Sequence, residues 1–350
     1  MRVVVVGASG NVGTSVLRSL AAEPAVDSVL GVCRRLPGLR LAKVEWQSAD
    51  VASSPLEPLF AGADAVVHLA WLIQPGRDQQ TVRAVNVDGS ERVFRAVVAA
   101  GVPTLVYASS VGAYGRGPKH LRVDEGWPAS GIPTSFYSRH KAEVETLLDR
   151  LEAERPELRV VRLRPGLIFK RDAASGIRRL FAGPLLPTAL VRRGLIAAVP
   201  DVPRLAFQAV HSHDVGEAYL LALMGDARGA FNIAAEPVLD ARELARALRA
   251  RPVPVPAKAL RAGAALSYAL RLQPSEPGWV DMGLGVPLMD TTRARDELGW
   301  TPRSSATDAL LELLDGLRHG AGIDTPPLEP GSAGPLRLRE FASGLGARTG

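Results

Sequence analysis

The chain has 350 residues, of which 47% are apolar and 22% charged, enough to bury a large core without covalent staples. A single cysteine, Cys33, excludes an intramolecular disulfide and argues against a cysteine-based metal site, so no metal is expected. The net charge of +6 is spread as single and paired arginines without a basic run or interleaved aromatics, so neither nucleic acid nor a membrane surface is an expected partner.

The first element in chain order is the apolar run Val3–Val6, too short for the core of a signal peptide. No stretch reaches the roughly 18 uninterrupted apolar residues of a membrane span, and a cytoplasmic location is the default expectation. Further short β-branched runs follow at Ser28–Cys33, Lys43–Trp46, Ala65–His68, Thr104–Ala108 and Arg159–Leu163. Helical patterns separate them at Asn11–Ala22, Thr81–Ala100 and Ser135–Glu154. In the second of these, Val82, Val85, Val93 and Val97 fall on one side, the spacing of a helix packed on a sheet. Strands that are apolar throughout and alternate with helices predict an α/β, doubly wound parallel sheet buried on both faces. The expected nucleotide domain spans 1–165, with 205–225 returning to it through a helix at His213–Met224. Residues 166–204 and 226–320 would form a smaller, interleaved substrate domain. A helix after the capping residue Asp240 falls within it. The segment 321–350, rich in Pro, Gly and small polar residues, is expected to pack loosely.

The strongest local signal is the turn after the first strand, Gly7-Ala8-Ser9-Gly10-Asn11-Val12-Gly13, leading into a helix. Small residues let the backbone approach a pyrophosphate, and the free N–H groups and helix dipole hold its charge. This strand–turn–helix context predicts a Rossmann-type dinucleotide site at Gly7, Ser9, Gly10, Asn11, Val12 and Gly13. The second strand ends Cys33-Arg34-Arg35, with no acidic residue to accept bonds from a ribose 2′-hydroxyl. The pair Arg34 and Arg35 suits a 2′-phosphate, so NADP(H) is favoured over NAD(H). Asp50 and Val51, after the third strand, are placed to meet the adenine.

Tyr137 and Lys141 stand four residues apart on one predicted helix face. An ordinary phenol, with a pKa near 10, is a poor base at neutral pH, but an adjacent ammonium favours the phenolate. The pair can then exchange a proton with a substrate oxygen while hydride moves to or from a nicotinamide. Ser110, at the carboxyl end of the fifth strand, faces the crevice where such sheets bind ligands, and its hydroxyl can donate to a reacting carbonyl oxygen.

These residues resemble the extended short-chain dehydrogenase/reductases, the NAD-dependent epimerase/dehydratase family. The resemblance covers most of 1–310. It includes the glycine turn, His68-Leu69-Ala70, Asn86-Val87-Asp88-Gly89, Ser109 to Gly115, Tyr137 to Lys141, Leu163-Arg164-Pro165-Gly166, Val210 to Val215, Phe231-Asn232-Ile233 and Glu297 to Pro302. It implies Ser110, Tyr137 and Lys141 as the catalytic residues, with Lys141 also holding the ribose hydroxyls. Leu69, Ala70, Trp71 and Ser109 would border the cofactor, Asn86 would help organise the site, and Pro165 would lie near the nicotinamide. A small-molecule substrate between two domains and a possible homodimer are implied as well.

The chain departs from the family's nucleotide-sugar enzymes at three places. Phe169-Lys170-Arg171 replaces a Tyr-Gly-Pro, and Phe207 stands where an arginine clamps the sugar nucleotide's diphosphate. Arg204, Arg178, Arg179, Arg192 or Arg193 would have to compensate, though they read more simply as surface charges. Val111-Gly112 replaces an Asp-Glu pair that eliminates water, which argues against dehydration. His68, His211 and His213 do not show metal-ligand spacing, and His211 and Asp214 are expected to orient the substrate-side loop. The leading expectation is hydride transfer between NADP(H) and a ketone or secondary alcohol. The alternatives are epimerisation through a transient ketone and a non-catalytic NADP-sensing protein.

Overall fold

The computed structural model describes residues 1–73, 78–178, 195–273 and 275–329. Seven strands build its main sheet: β1 (Arg2–Val6), β2 (Ser28–Cys33), β3 (Val44–Ser48), β4 (Ala65–His68), β5 (Thr104–Ala108), β6 (Arg159–Pro165) and β7 (Gly229–Ile233). They lie in the order β7-β6-β5-β4-β1-β2-β3, every neighbouring pair parallel. The order reverses between β1 and β4, so the loops leaving their carboxyl ends diverge and open a crevice there. This is the doubly wound Rossmann arrangement.

Side-chain alternation along β1 shows why an all-valine strand belongs at the centre. Val3 and Val5 face a core layer with Val16, Leu17 and Leu20 of α1 (Asn11–Ala22). Val4 and Val6 face the opposite layer, which contains Val93 and Val97 of α2 (Gly89–Ala99) and Val144 and Leu148 of α3 (Phe136–Glu154). All four valines are at most 1% exposed. Burial on both faces requires apolar residues at every position, which is why the run carries no polar alternation.

The expected helix at Thr81–Ala100 is broken into three parts. A short helix, Gln79–Arg83, is capped by Asp78, a π-helical turn covers Ala84–Asp88, and α2 follows. A Cβ at Gly89 would come within 2.8 Å of Val51, so the glycine lets this helix sit against the loop after β3. The third strand begins one residue later than expected because Lys43 has φ 61°, a left-handed conformation incompatible with a strand.

The second half of the chain contributes to the main sheet and its helices and also forms a small sheet of its own. α4 (Ser212–Met224) lies against α1, where a Cβ on Gly216 would meet Ser15 at 2.9 Å. The preceding segment Phe207–His211 instead belongs to a three-stranded sheet, parallel to Leu167–Phe169 and antiparallel to Ala235–Leu239. That small sheet packs on α5 (Ala306–His319) through Ala309, Leu310 and Leu313. β7 has no counterpart among the strands read from sequence, yet it closes the main sheet beside β6. Residues 321–329 carry two buried side chains, Thr325 and Leu328, where loose packing was expected, and 330–350 lie outside the described residues.

Candidate active site

The turn after β1 has the backbone shape that its sequence implies. Gly7 adopts φ +89°, and a Cβ there would stand 2.5 Å from the Ala70 nitrogen. A Cβ on Gly13 would strike the Ala8 carbonyl oxygen at 2.4 Å, so only glycine lets α1 start this close to the strand. Gly10 is the N-cap and offers α1 no side-chain cap, leaving first-turn N–H groups for a ligand anion.

One cleft joins this turn to the ends of β2, β3 and β4. Gly7, Ser9, Gly10, Arg34, Arg35, Asp50, Val51, Leu69, Ala70 and Trp71 all line it. Arg34 Nη1 lies 4.0 Å from the Asp50 carboxylate, both partly exposed. Asp50 also accepts from the Ala52 N–H at 2.9 Å, which fixes the loop after β3. Burial pushes the Cys33 thiol up, and a hydrogen bond with Ser9 opposes the shift. The residues present therefore fit a dinucleotide: a tight backbone approach for the diphosphate, and a cationic mouth where an adenosine ribose would lie.

Asn11 and Asn86 both bond to the backbone of neighbouring segments. Asn11 Nδ2 donates to the Ile168 carbonyl at 3.2 Å, tying α1 to the small sheet. Asn86 Oδ1 accepts from the Leu72 N–H at 2.7 Å, while its Nδ2 donates to the Leu72 carbonyl at 3.1 Å. Both amide atoms of Asn86 are thus spent on holding the Leu69–Leu72 loop in place. His68 beneath it bonds Ser90 at 2.9 Å, and burial pushes its imidazole down to about 3, so it is neutral.

Ser110, Tyr137 and Lys141 converge at the carboxyl ends of β4 and β5. Ser110 Oγ accepts from the Gly112 N–H at 3.0 Å, and a Cβ on Gly112 would meet the Tyr137 ring at 2.8 Å, so the loop carrying Ser110 lies against the phenol. Burial pushes the Tyr137 phenol up to about 12, with the nearby Ser110 hydroxyl pulling the other way. Lys141 Nζ donates to the Ala108 carbonyl at 2.6 Å and to Tyr107 Oη at 3.3 Å. It stands 3.5 Å from the centre of the Trp71 ring and 6.0 Å from that of Tyr137. Burial holds the ammonium well below the usual lysine range, and Glu145 partly offsets this. Ser109, expected beside the cofactor, instead turns its hydroxyl to Glu145. Pro165 ends β6, and Val12 packs against the core on the α1 side.

Several residues here went unnoticed in the sequence. Glu145, one turn beyond Lys141, is 1% exposed and bonded by Arg164, Arg162 and Ser109. Its carboxyl is pulled down to about 2, because bonds from Arg164, Arg162 and Ser109 outweigh the opposing effect of burial. Trp279 lies with its ring 4.9 Å from that of Tyr137, and Trp71 meets the same ring edge-on at 6.0 Å. Ile132, Met282 and Val286, joined by Val111, complete an apolar surround for the phenol.

Of the arginines that would have to compensate for a missing diphosphate clamp, Arg178 and Arg204 fall among the described residues. Arg204 donates to the Leu284 and Gly117 carbonyls, and Phe207 packs with the apolar core of the small sheet. Arg179, Arg192 and Arg193 lie outside the described residues. Lys170 reaches back to α1 instead, donating to the Asn11 carbonyl at 2.8 Å and Thr14 Oγ1 at 2.6 Å.

An uncharacterised protein of Mycobacterium tuberculosis is 27% identical over 326 residues, covering 92% of this chain and 31% of that protein, so the chain spans about a third of that relative's length. An L-arabinose 1-dehydrogenase (NAD(P)(+)) of Haloferax volcanii is 29% identical over 236 residues, 61% of this chain and 89% of the relative. Among solved structures, MoeE5 in complex with UDP-glucuronic acid and NAD shares the fold, with a TM-score of 0.67, 23% identity, and coverage of 91% of this chain and 99% of that one. UDP-glucuronic acid 4-epimerase from Bacillus cereus, in complex with NAD, matches with a TM-score of 0.66 at 17% identity over 91% of this chain and 99% of that one. The family model for the NAD dependent epimerase/dehydratase family matches residues 3–190, more than half of the chain, and the chain belongs to that family.

Proposed function

We propose that the protein transfers hydride between NADP(H) and a ketone or secondary alcohol of apolar character, using Ser110, Tyr137 and Lys141. The observation that carries this reading is the placement of the Ser110–Gly112 loop against the Tyr137 ring, with the Lys141 ammonium one helical turn away at the mouth of the sheet. A bound nicotinamide would supply or accept the hydride. In reduction, Tyr137 Oη gives its proton to the substrate oxygen as negative charge develops there. Ser110 Oγ donates to the same oxygen and stabilises it. Lys141 holds ribose hydroxyls and lends its charge to the phenolate left behind.

Burial that raises the Tyr137 phenol to about 12 keeps it protonated before cofactor binds. A neutral phenol can give its proton to the alkoxide that forms on reduction. Oxidation would need further positive charge, as an oxidised nicotinamide ring provides. Arg34 and Arg35 at the cleft mouth support the NADP(H) preference.

The substrate's apolar character rests on the Trp279 and Trp71 rings around Tyr137 and on Phe207 in place of a diphosphate clamp. Epimerisation through a transient ketone uses the same three groups, and membership of the family supports it as a second reading. The test is NADPH consumption with a panel of aryl and alkyl ketones, beside UDP-sugars and analysis of the purified protein for retained NAD. Turnover of ketones supports the first reading. UDP-sugar epimerisation with retained cofactor would replace it with the second.

A further inference from the structure

The dinucleotide cleft has a wall that no strand-end loop supplies. Pro326 and Pro327, near the end of the described chain, line it together with Gly7, Arg34, Asp50 and Val51. They sit in a compact turn held by three backbone bonds: Thr325 N–H to the Ile323 carbonyl at 2.7 Å, Leu328 N–H to the Thr325 carbonyl at 2.8 Å, and Ile323 N–H to the Leu328 carbonyl at 3.3 Å.

Both sides of the cleft anchor this turn. On the substrate side, Ser175 Oγ donates to the Leu328 carbonyl at 3.0 Å, and the Leu328 side chain is buried. On the other, the Asp324 carboxylate occupies the space where a Cβ on Gly38, in the loop after β2, would fall within 1.9 Å. Thr325 is 1% exposed, and its hydroxyl has no hydrogen-bond partner among the described residues. A buried hydroxyl left this way carries a desolvation cost.

Resting on the dinucleotide reading above, we propose that Asp324–Leu328 is a strap completing the cofactor site, with Pro326 and Pro327 covering its adenosine end and slowing cofactor release. Two adjacent prolines suit that task. Their rings are compact and apolar, they have no N–H to leave unpaired against a purine, and ordering them loses no side-chain entropy. Because the strap spans from the Ala174–Ile177 helix to the β2 loop, it also links cofactor exchange to the substrate-side half of the molecule.

The test is stopped-flow release of NADPH from the full chain, wild type against Pro326→Gly/Pro327→Gly. Loss of the covering rings is expected to raise the release rate about tenfold with little change in association. Ser175→Ala, which frees an anchor without touching the cleft, is expected to give a smaller increase and keeps the proposal testable should the double variant fold poorly. The adenosine fragment 2′,5′-ADP should lose affinity in both variants, and nicotinamide mononucleotide should not. A wild type that binds NADPH while both variants release it at the wild-type rate removes the strap alone. A wild type that binds neither NADPH nor NADH removes the dinucleotide reading and the strap with it.

Discussion

Arg164 holds Glu145 with two parallel hydrogen bonds, Nε to Oε1 at 2.8 Å and Nη2 to Oε2 at 2.9 Å, behind the helix turn that carries Lys141. Arg162 adds a third contact to the same carboxylate at 2.9 Å, and Ser109 a fourth. The four groups lock α3 to the ends of β5 and β6, and so fix where Tyr137 and Lys141 stand. Removing the carboxylate leaves two arginines buried without it, a change that costs about 3–5 kcal/mol in such pairs.

Glu145→Gln is therefore expected to lower unfolding free energy by about 3 kcal/mol near neutral pH, measured by urea denaturation. The folded-state pKa of Glu145, about 2, lies below the ordinary carboxylate value. Its stabilising effect is then fully present above the unfolded pKa and lost as pH falls through the folded one. The gap between wild type and variant should narrow between about pH 4.5 and 2. A gap independent of pH would mean the carboxylate's charge is not the source of the stability.

For Lys170 the buried charge is the destabilising form, and stability again rises with pH. Its ammonium is buried against the first turn of α1, and burial pulls it down to about 7 from the ordinary 10.5. Below about pH 7 the folded protein bears the whole cost of the buried charge, and that cost disappears as pH rises toward the unfolded value. Wild type measured against Lys170→Met should gain about 2 kcal/mol of relative stability between pH 7 and 9, at about 1.4 kcal/mol per unit. Denaturant titrations at the two pH values check this.

Trp71 covers the Lys141 ammonium with its indole face at 3.5 Å, and its Nε1 is buried without a partner among the described residues. A nicotinamide ribose arriving at Lys141 changes the surroundings of this ring. NADPH binding should quench tryptophan emission, and Trp71→Phe should abolish most of the quench although four other tryptophans remain of the five in the chain. An undiminished quench would place the reporter elsewhere.

Arg34 and Arg35 should divide the two cofactors. Arg34→Ser/Arg35→Ser removes charge-assisted bonds of about 1.5–3 kcal/mol each to a 2′-phosphate, raising the NADPH Kd by at least about tenfold while that for NADH moves little. Titration calorimetry with both cofactors measures it. Equal losses would reassign the pair to general electrostatics.

Legibility in the sequence follows the range of the interactions. The glycine turn is local: strand, tight backbone and helix start occupy adjacent residues, so Gly7 to Gly13 could be read directly. Tyr137 and Lys141 share a helix face for the same reason. The clamp on Glu145 had a weaker signal, two arginines at alternate positions, Arg162 and Arg164, in the carboxyl half of a strand that also begins with Arg159. Charges on one face of a buried strand need a buried partner, but nothing in the strand says which. Strand β7 opens with Gly229-Ala230, residues of low strand propensity, and pairing with β6 alone makes it a strand. Trp279 and the strap prolines touch the site only through tertiary contact, and a segment rich in proline and glycine reads as loose until its anchors at Ser175 and Gly38 are seen.

The central claim is that the Tyr137 phenol moves the proton. Steady-state ketone reduction by Tyr137→Phe, with NADPH affinity measured on the same protein, tests it most directly. The account predicts a kcat lower by about 10²–10⁴ with affinity for NADPH within about twofold of wild type. Turnover equal to that of wild type would contradict it.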